Sequence, residues 1–204
     1  AYVTQNNTLR NFAGLSRIWA ELGATPQYYP LTFTSFWVEM QITGGIPNPR
    51  LSHGINLALH AGSVLVLWQL LRRLSVPGAW VAAALFAVHP INVESVAWIA
   101  ERKNTLSLLL ALAAAFFYLR YIGIIEKPVA EAPVAPESKP KRESDDSEPS
   151  NDVEAAGERM HLSLPDDPRR LYALFMVFFA MALLSKTVVV VLPVVLLLII
   201  WWKL

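Results

Sequence analysis

The chain has 204 residues, of which 54% are hydrophobic and 16% are charged, and its formal net charge is +1 at pH 7. Charged residues make up about a quarter of an ordinary soluble domain, and the mean hydropathy here is +0.40, so the composition indicates a membrane protein. A near-neutral charge gives no support for a nucleic-acid partner, and the absence of cysteine excludes disulfides and thiolate metal sites. The first residue is Ala1 and the chain is still apolar at its end, which we interpret as a fragment of a longer protein.

Residues 1–52 have mixed character and are predicted to form an outer loop, periplasmic or lumenal, that carries short helices. Apolar residues recur there at helical spacing: Phe12, Leu15, Ile18, Trp19 and Leu22. This amphipathic helix could insert Phe12, Trp19 and Leu22 into a membrane surface or pack on a domain core, and both alternatives stay open. After it, prolines interrupt the chain around Tyr28 and Tyr29, whose phenol groups and flat faces suit a sugar or lipid head group. A second helix is expected over residues 33–43.

Residues 53–125 are predicted to hold transmembrane helices. The first spans residues 54–74, close to the roughly 20 residues that cross the hydrocarbon, and ends at a basic pair that suits the cytoplasmic side. His53, Asn56 and His60 are spaced to lie on one face, which is expected to look into the helical bundle. We favour interhelical hydrogen bonding for His60. For His53, at the membrane boundary, two roles stay open: interhelical hydrogen bonding, and proton transfer or orientation of a substrate.

The stretch from His89 to Lys103 sets polar and ionisable residues between two apolar runs. Pro90 is expected to end the preceding helix at His89, and the next helix is expected to run from Asn92 to Tyr121. On that helix Glu94, Trp98, Glu101 and Arg102 would form one polar stripe that lines a cleft. Arg102 and Lys103 would then be placed to hold a phosphate, although a set of interfacial flanks remains the alternative.

The last third of the chain divides in two. Residues 126–168 are rich in Pro, Ala, Glu, Ser, Lys and Asp, and are predicted to form a disordered cytoplasmic linker. Residues 169–204 are predicted to form a transmembrane helical hairpin that turns at Lys186 on the outer side, with Pro193 kinking the return helix. Lys186 either has a functional role or snorkels at a helix end.

Basic residues that flank the predicted spans indicate the orientation, because cytoplasmic flanks carry an excess of Lys and Arg. If the His89 side is outside, most of these residues lie on the inner side. Arg102, Lys103 and Lys186 are exceptions on the outer side, which is where cations retained for binding an anion would be expected. The hypothesis is therefore that His89, Arg102 and Lys186 meet in one outer-facing pocket that binds a phosphate.

Several motifs resemble the membrane domain of the transmembrane and tetratricopeptide-repeat O-mannosyltransferase family, including its bacterial relatives. The most specific block reads Leu-Phe-Ala-Val-His-Pro over residues 85–90, followed by Glu-Ser-Val-Ala-Trp-Ile-Ala over residues 94–100 and by Lys103. The other matching motifs are Tyr-Tyr-Pro-Leu at residues 28–31, the His53, Asn56 and His60 spacing, and Leu-Leu-Ser-Lys-Thr at residues 183–187 with Pro193. Together they cover nearly the whole chain apart from the linker.

The resemblance implies an all-α polytopic membrane protein with a GT-C-like helical bundle. Such enzymes take a sugar from a polyprenyl-phosphate donor at the outer or lumenal face, pass it to a protein or glycan hydroxyl, and usually carry tetratricopeptide repeats. It further implies that the catalytic base is an acidic pair upstream of Ala1, so the fragment itself is expected to be inactive. Arg102, Lys103 and Lys186 are expected to bind the donor phosphate, and His53, His89 and Glu94 are candidates for supporting the catalysis. Tyr28 and Tyr29 would form a substrate loop.

Beyond the lipid-linked sugar no cofactor is expected, and no carboxylate pair typical of a metal site stands outside the linker. The expected location is the bacterial inner membrane, or the endoplasmic reticulum membrane if the protein is eukaryotic. Two alternatives remain open. The polar residues could line a transport path for a lipid-linked sugar, or the chain could be a non-catalytic membrane anchor for a partner-binding repeat domain.

Overall fold

The structure, a computed structural model, describes residues 6–125 and 167–203. Every regular element in these two ranges is helical, with eight α-helices and three short 3-10 turns. The helices are α1 (Phe12–Ala20), α2 (Pro30–Ile42), α3 (Pro49–Arg73), α4 (Ala79–Val88), α5 (Ile91–Ala97), α6 (Arg102–Tyr121), α7 (Pro168–Ser185) and α8 (Leu192–Lys203). The 3-10 turns are Asn7–Leu9, Ile99–Glu101 and Thr187–Val191.

Within residues 6–125 and 167–203, three helical segments are long and apolar enough to cross a membrane: Pro49–Arg73, Ile99–Tyr121 and Pro168–Ser185. Helices α4 and α5 meet at a bend of 59° and together form either a fourth, broken span or a re-entrant loop. A helix satisfies its own backbone hydrogen bonds, which is what a chain segment in hydrocarbon requires. The prediction of an all-α, multi-pass membrane protein is confirmed.

Helix α3 begins earlier than the sequence pattern indicates. The side chain of Asn48 accepts a hydrogen bond from the Leu51 amide at 3.3 Å, and Pro49 occupies the first turn. A side-chain cap followed by proline is a strong start signal for a helix. The helix therefore begins at Pro49 rather than near residue 54, and His53 lies inside it.

The stretch from α4 to α6 is more broken than expected. Helix α4 ends at Val88, as predicted from Pro90. The side-chain Nδ2 of Asn92 donates to the Phe86 carbonyl at 2.7 Å, and Asn92 does not cap the next helix. The single helix expected from Asn92 to Tyr121 is wrong, because Trp98 is extended and a 3-10 turn follows it. The Trp98 carbonyl accepts a hydrogen bond from the Asn56 side chain at 3.2 Å, which stabilises the break.

Helices α6 and α7 pack along a seam of small and aromatic side chains. Ala114 on α6 and Ala182 on α7 are fully buried, and small residues let membrane helices approach closely. The rings of Phe117 and Phe178 stack with centroids 5.4 Å apart. This seam holds together α6, which carries Lys103 at its start, and α7, which Lys186 follows.

Residues before α3 form a separate small core. Helices α1 and α2 enclose Leu9, Ile18, Phe33, Phe36 and Met40. Helix α1 thus packs on a domain core through Ile18, while Phe12, Trp19 and Leu22 stay exposed. The core-packing alternative is confirmed for one face of α1, and insertion of the other face into a membrane surface stays a prediction.

The end of the chain differs from the predicted hairpin in detail. The Asp167 side chain accepts a hydrogen bond from the Arg169 amide at 3.0 Å and caps α7, so the helix includes Pro168. Lys186 has an extended backbone that ends α7. Pro193 stands in the first turn of α8, where proline is tolerated, and does not kink the middle of a helix. Apart from its last two residues, the predicted linker at 126–168 lies outside the described part of the chain.

Candidate functional site

The ionisable residues singled out by the sequence lie at one end of the helices, which we name the outer end. It comprises the start of α3, the end of α4, the start of α6 and the end of α7. Polar contacts join these elements: Arg102 donates to the Ser52 carbonyl at 3.3 Å, for example, and Lys186 donates to Asn104 at 2.5 Å. The residues are thus close together, but they occupy three neighbouring environments and not the single pocket that was expected.

The first environment is a polar group around two lysines, Lys103 on α6 and Lys186 just after α7. The Lys186 ammonium donates to Asn104 Oδ1, and Asn104 Nδ2 donates to Glu101 Oε2 at 2.8 Å. The other oxygen of Glu101 lies 3.2 Å from Lys103 Nζ. We name Lys103, Lys186, Glu101 and Asn104 the cation cluster.

Two neighbours complete the cation cluster. The Ser95 hydroxyl on α5 accepts a second bond from Asn104 Nδ2 at 3.0 Å, and Gln27, in the loop before α2, accepts one from Lys103 Nζ at 3.3 Å. The cluster contains two ammonium groups and one carboxylate, and its side chains are only partly buried. These three ionisable groups carry a net charge of +1, so the cluster suits an anion at the membrane boundary.

Arg102 occupies the second environment, inside the protein. Its guanidinium forms an ion pair with Glu39 at 2.7 Å, and the side chains of the two residues are 0% and 6% exposed. Arg102 Nε donates to Asn56 Oδ1 at 3.0 Å, and the guanidinium lies 4.2 Å from the centre of the Phe36 ring. The Ser52 hydroxyl donates to the Glu39 carboxylate.

These contacts separate Arg102 from its neighbour in sequence. A buried charge is tolerated when it is paired and hydrogen-bonded, and Glu39 and Asn56 supply these partners. The structure therefore does not bring Arg102 into the cation cluster with Lys103 and Lys186. Asn56 faces this interior site as expected for the bundle-facing side of α3, whereas His53 is exposed.

The third environment is a cavity of about 420 Å³ between α3, α4 and α5. Its walls are mainly apolar, and its polar groups come from His53, His60, His89 and Asn92. His60 Nε2 lies 3.1 Å from the Ala87 carbonyl, which agrees with the interhelical hydrogen bond favoured for it. Because Ser95 on α5 contacts the cation cluster while Asn92 lines the cavity, α5 separates the two.

The remaining predicted site residues lie at the edges. Glu94 and Trp98 are both exposed, so with Arg102 buried they do not form the expected stripe. The break at Trp98 is the reason, because it changes the helical register before Glu101. The Tyr28 hydroxyl donates to the Trp19 carbonyl at 3.0 Å, and Tyr29 packs against the small core of α1 and α2.

Among the residues of the site that the sequence analysis missed are Glu39 and Asn104. Glu39 is the only ionisable residue in Pro30–Ile42, and since glutamate is almost never buried unpaired, its burial in this helix requires a cationic partner. Asn104 follows Lys103 directly and has no comparable signal. Its role emerges only because α7 brings Lys186 beside it.

Comparison with known proteins finds relatives among curated sequences. Protein O-mannosyl-transferase TMTC1 of Homo sapiens is 38% identical over 104 residues, which are 50% of this chain and 12% of the relative. Protein O-mannosyl-transferase TMTC4 of Homo sapiens is 34% identical over 111 residues, covering 47% of this chain and 14% of the relative. Protein O-mannosyl-transferase Tmtc3 of Drosophila melanogaster is 32% identical over 119 residues, covering 47% of this chain and 12% of the relative.

No family model matches the chain, and no solved structure matches it. The region matched by this chain is only 12 to 14% of the length of the three curated relatives named above. The resemblance to the transmembrane and tetratricopeptide-repeat O-mannosyltransferases, first seen in the motifs, is confirmed by these matches.

Proposed function

We propose that the protein to which this chain belongs is a membrane glycosyltransferase that moves a sugar, mannose or a close relative, from a polyprenyl-phosphate donor to an acceptor hydroxyl. The acceptor is a protein or glycan at the outer or lumenal face. The relatives, by their names, supply the class of reaction. The observation that carries the proposal for this chain is the convergence of Lys103 and Lys186, from different helices, on Glu101 and Asn104.

The reaction requires stabilisation of a leaving phosphate. The bond between the anomeric carbon of the sugar and a phosphate oxygen breaks, the acceptor oxygen bonds to that carbon, and the acceptor proton passes to a base. The departing polyprenyl phosphate gains one negative charge. Cations aimed at the place where charge develops lower the barrier, and this is usually the largest single contribution to such catalysis.

Lys103 and Lys186 are suited to this role by their position. Both lie at the ends of apolar helices, so a polyprenyl chain in the hydrocarbon would place its phosphate at the level of the cation cluster. Ammonium groups bind phosphate oxygens through charge-assisted hydrogen bonds. Glu101 holds Lys103 and, through Asn104, also orients Lys186.

Arg102 is not part of the proposed phosphate site. Its guanidinium is ion-paired with Glu39 in the interior, so the proposal replaces the expected set of three cations by Lys103 and Lys186. The cavity lined by His53 and His89 lies on the other side of α5 and is not assigned a step.

The test uses the full-length protein in membrane vesicles with a radiolabelled polyprenyl-phosphate sugar. Lys103→Gln and Lys186→Gln should each lower kcat/KM by about 100-fold, the loss typical for one group that stabilises charge in the transition state. Lys203→Gln is the control, because Lys203 stacks on Trp202 at the far end of α8, and it should retain activity.

Two results would contradict the proposal. Unchanged transfer in both Lys103→Gln and Lys186→Gln would remove the cation cluster from the reaction. Passage of the labelled lipid across the vesicle without a new glycosidic bond would indicate a transporter.

A further inference from the structure

Helix α2 contacts both helices that carry the cation cluster. Thr32 donates its hydroxyl proton to the Ser185 carbonyl on α7 at 3.1 Å, and Glu39 forms the ion pair with Arg102 on α6 at 2.7 Å. Thr32 and Glu39 are both buried. They are seven residues apart, so they lie on one face of α2, two turns and about 10 Å from each other.

The two residues that α2 holds directly precede the two lysines. Ser185 is followed by Lys186, and Arg102 is followed by Lys103. A single face of one helix thus contacts the residue before each cation, through the backbone carbonyl of Ser185 and through the side chain of Arg102.

We propose that α2 is a spacer that sets the distance between the Lys103 and Lys186 ammonium groups, with Thr32 and Glu39 as its positioning residues. This inference rests on the proposed function in one respect only, namely that the two ammonium groups bind the same phosphate. The spacing itself follows from contacts of the described residues.

On the α6 side, the contacts of Arg102 determine where Lys103 points. Arg102 is the first residue of α6 and is held by Glu39, by Asn56 and by the face of Phe36. Successive residues of a helix are about 100° apart around its axis. With Arg102 fixed toward the interior, Lys103 is directed to the side where Glu101 and Gln27 meet it.

On the α7 side, the contact lies at the point where the helix stops. The last carbonyls of a helix lack intrahelical partners, and Thr32 satisfies that of Ser185. The chain then becomes extended at Lys186, whose side chain reaches Asn104 on α6. Holding Ser185 therefore holds the origin of the Lys186 side chain.

An ion pair is a costly way to hold two helices together. Replacing a buried ion pair by apolar residues of similar volume is often neutral or stabilising, so stability alone is a weak reason for it. A pair with fixed geometry, in contrast, allows only one rotation of α6 relative to α2. This is the property that a spacer between two cations requires.

The distance can be measured independently of activity. Trp98 and Val188, both exposed and flanking the two lysine-bearing ends, are changed by Trp98→Cys and Val188→Cys in the full-length protein and spin-labelled, after any cysteine outside this chain is replaced by serine. Double electron–electron resonance spectroscopy then gives the distribution of distances between the two spin labels. Thr32→Val and Glu39→Gln are each expected to broaden or shift the narrow distribution of the parent protein.

Matched controls separate a spacer from general stabilisation. Thr34→Val removes a hydroxyl on α2 that bonds within α2 and to Trp19, and Thr32→Ser keeps the bond to Ser185; both should leave the distribution unchanged. In transfer assays per folded molecule, Thr32→Val should lower kcat by about 10- to 100-fold, as a small misplacement does, and Thr32→Ser should restore it. Lys103→Gln should lower kcat/KM by about 100-fold without changing the distribution.

The results distinguish the two proposals. Unchanged distance distributions in Thr32→Val and Glu39→Gln would overturn the spacer, and Thr32→Val keeps the test decisive if Glu39→Gln does not fold. A parent protein without transfer activity, but with shifted distances in both variants, would overturn the proposed function and leave the spacer intact.

Discussion

The carboxylate of Glu39 and the guanidinium of Arg102 lie 2.7 Å apart in the protein interior and join the segment before the membrane spans to the first residue of α6. Removing one partner of a buried ion pair leaves the charge of the other partner buried and uncompensated. The pair is therefore sensitive to loss of either partner, although Arg102 lies in a sequence context that resembles a surface cluster of cations.

Arg102→Met is expected to lower the free energy of unfolding by about 3–5 kcal/mol, because the Glu39 carboxylate remains buried without its partner. The double variant Glu39→Gln with Arg102→Met should lose less of the free energy of unfolding than Arg102→Met alone. Unfolding in detergent, followed by circular dichroism, measures both. Glu21→Gln, which breaks the exposed pair with Arg17, is the matched control and should show a far smaller loss of stability. Equal stability of Arg102→Met and the parent would contradict the prediction.

Asn104→Leu should disturb the cation cluster without removing either lysine. Asn104 accepts from Lys186 and donates to Glu101 and Ser95, so the change leaves polar groups without partners at a cost of about 1–3 kcal/mol. Transfer by the full-length protein should fall, and it should fall further than in Ser95→Ala, which removes only one of the three bonds. Equal activities of the two variants would contradict the assigned role of Asn104.

Gly14→Ala should destabilise the small core of α1 and α2. A Cβ atom on Gly14 would lie 1.8 Å from the Thr8 carbonyl oxygen, and overpacking of this kind costs about 1–3 kcal/mol. Gly54→Ala is the control, because nothing lies within 4 Å of its Cβ position and alanine favours a helix over glycine by about 0.5–1 kcal/mol. The two changes are expected to shift the unfolding temperature in opposite directions, and a shared direction would count against the packing of α1.

The exposed pair Arg17 and Glu21 predicts a pH effect of defined sign. The hydrogen bond from Arg17, at 2.7 Å, lowers the pKa of the Glu21 carboxyl below its ordinary value, with a smaller contribution from the positive charge. Because the folded pKa lies below the unfolded one, the stabilisation is complete above the unfolded pKa and is lost as the pH falls through the folded pKa. Titration by nuclear magnetic resonance should show the Glu21 pKa rising in Arg17→Ala; an unchanged pKa would mean that the pair does not form in solution.

Features that depend on composition and local order could be predicted from the sequence. The apolar runs that become α3, α6 and α7 are recognisable because hydrocarbon accepts only long apolar helices, and the end of α4 at Val88 follows from the ring of Pro90. The gathering of His53, His89, Lys103 and Lys186 at one end of the helices follows from the order of the spans.

The partners of individual charges were decided by tertiary structure. Arg102 and Lys103 are adjacent and equally charged, and no local pattern shows which one faces the interior. That choice depends on Glu39, a carboxylate from a different helix, and on Asn56. Asn56 also donates a hydrogen bond to the Trp98 carbonyl, where the expected helix breaks. A buried charge requires a partner in space and not in sequence, so the division of the three cations between an interior ion pair and an outer cluster became visible only when α2, α3, α6 and α7 were packed together.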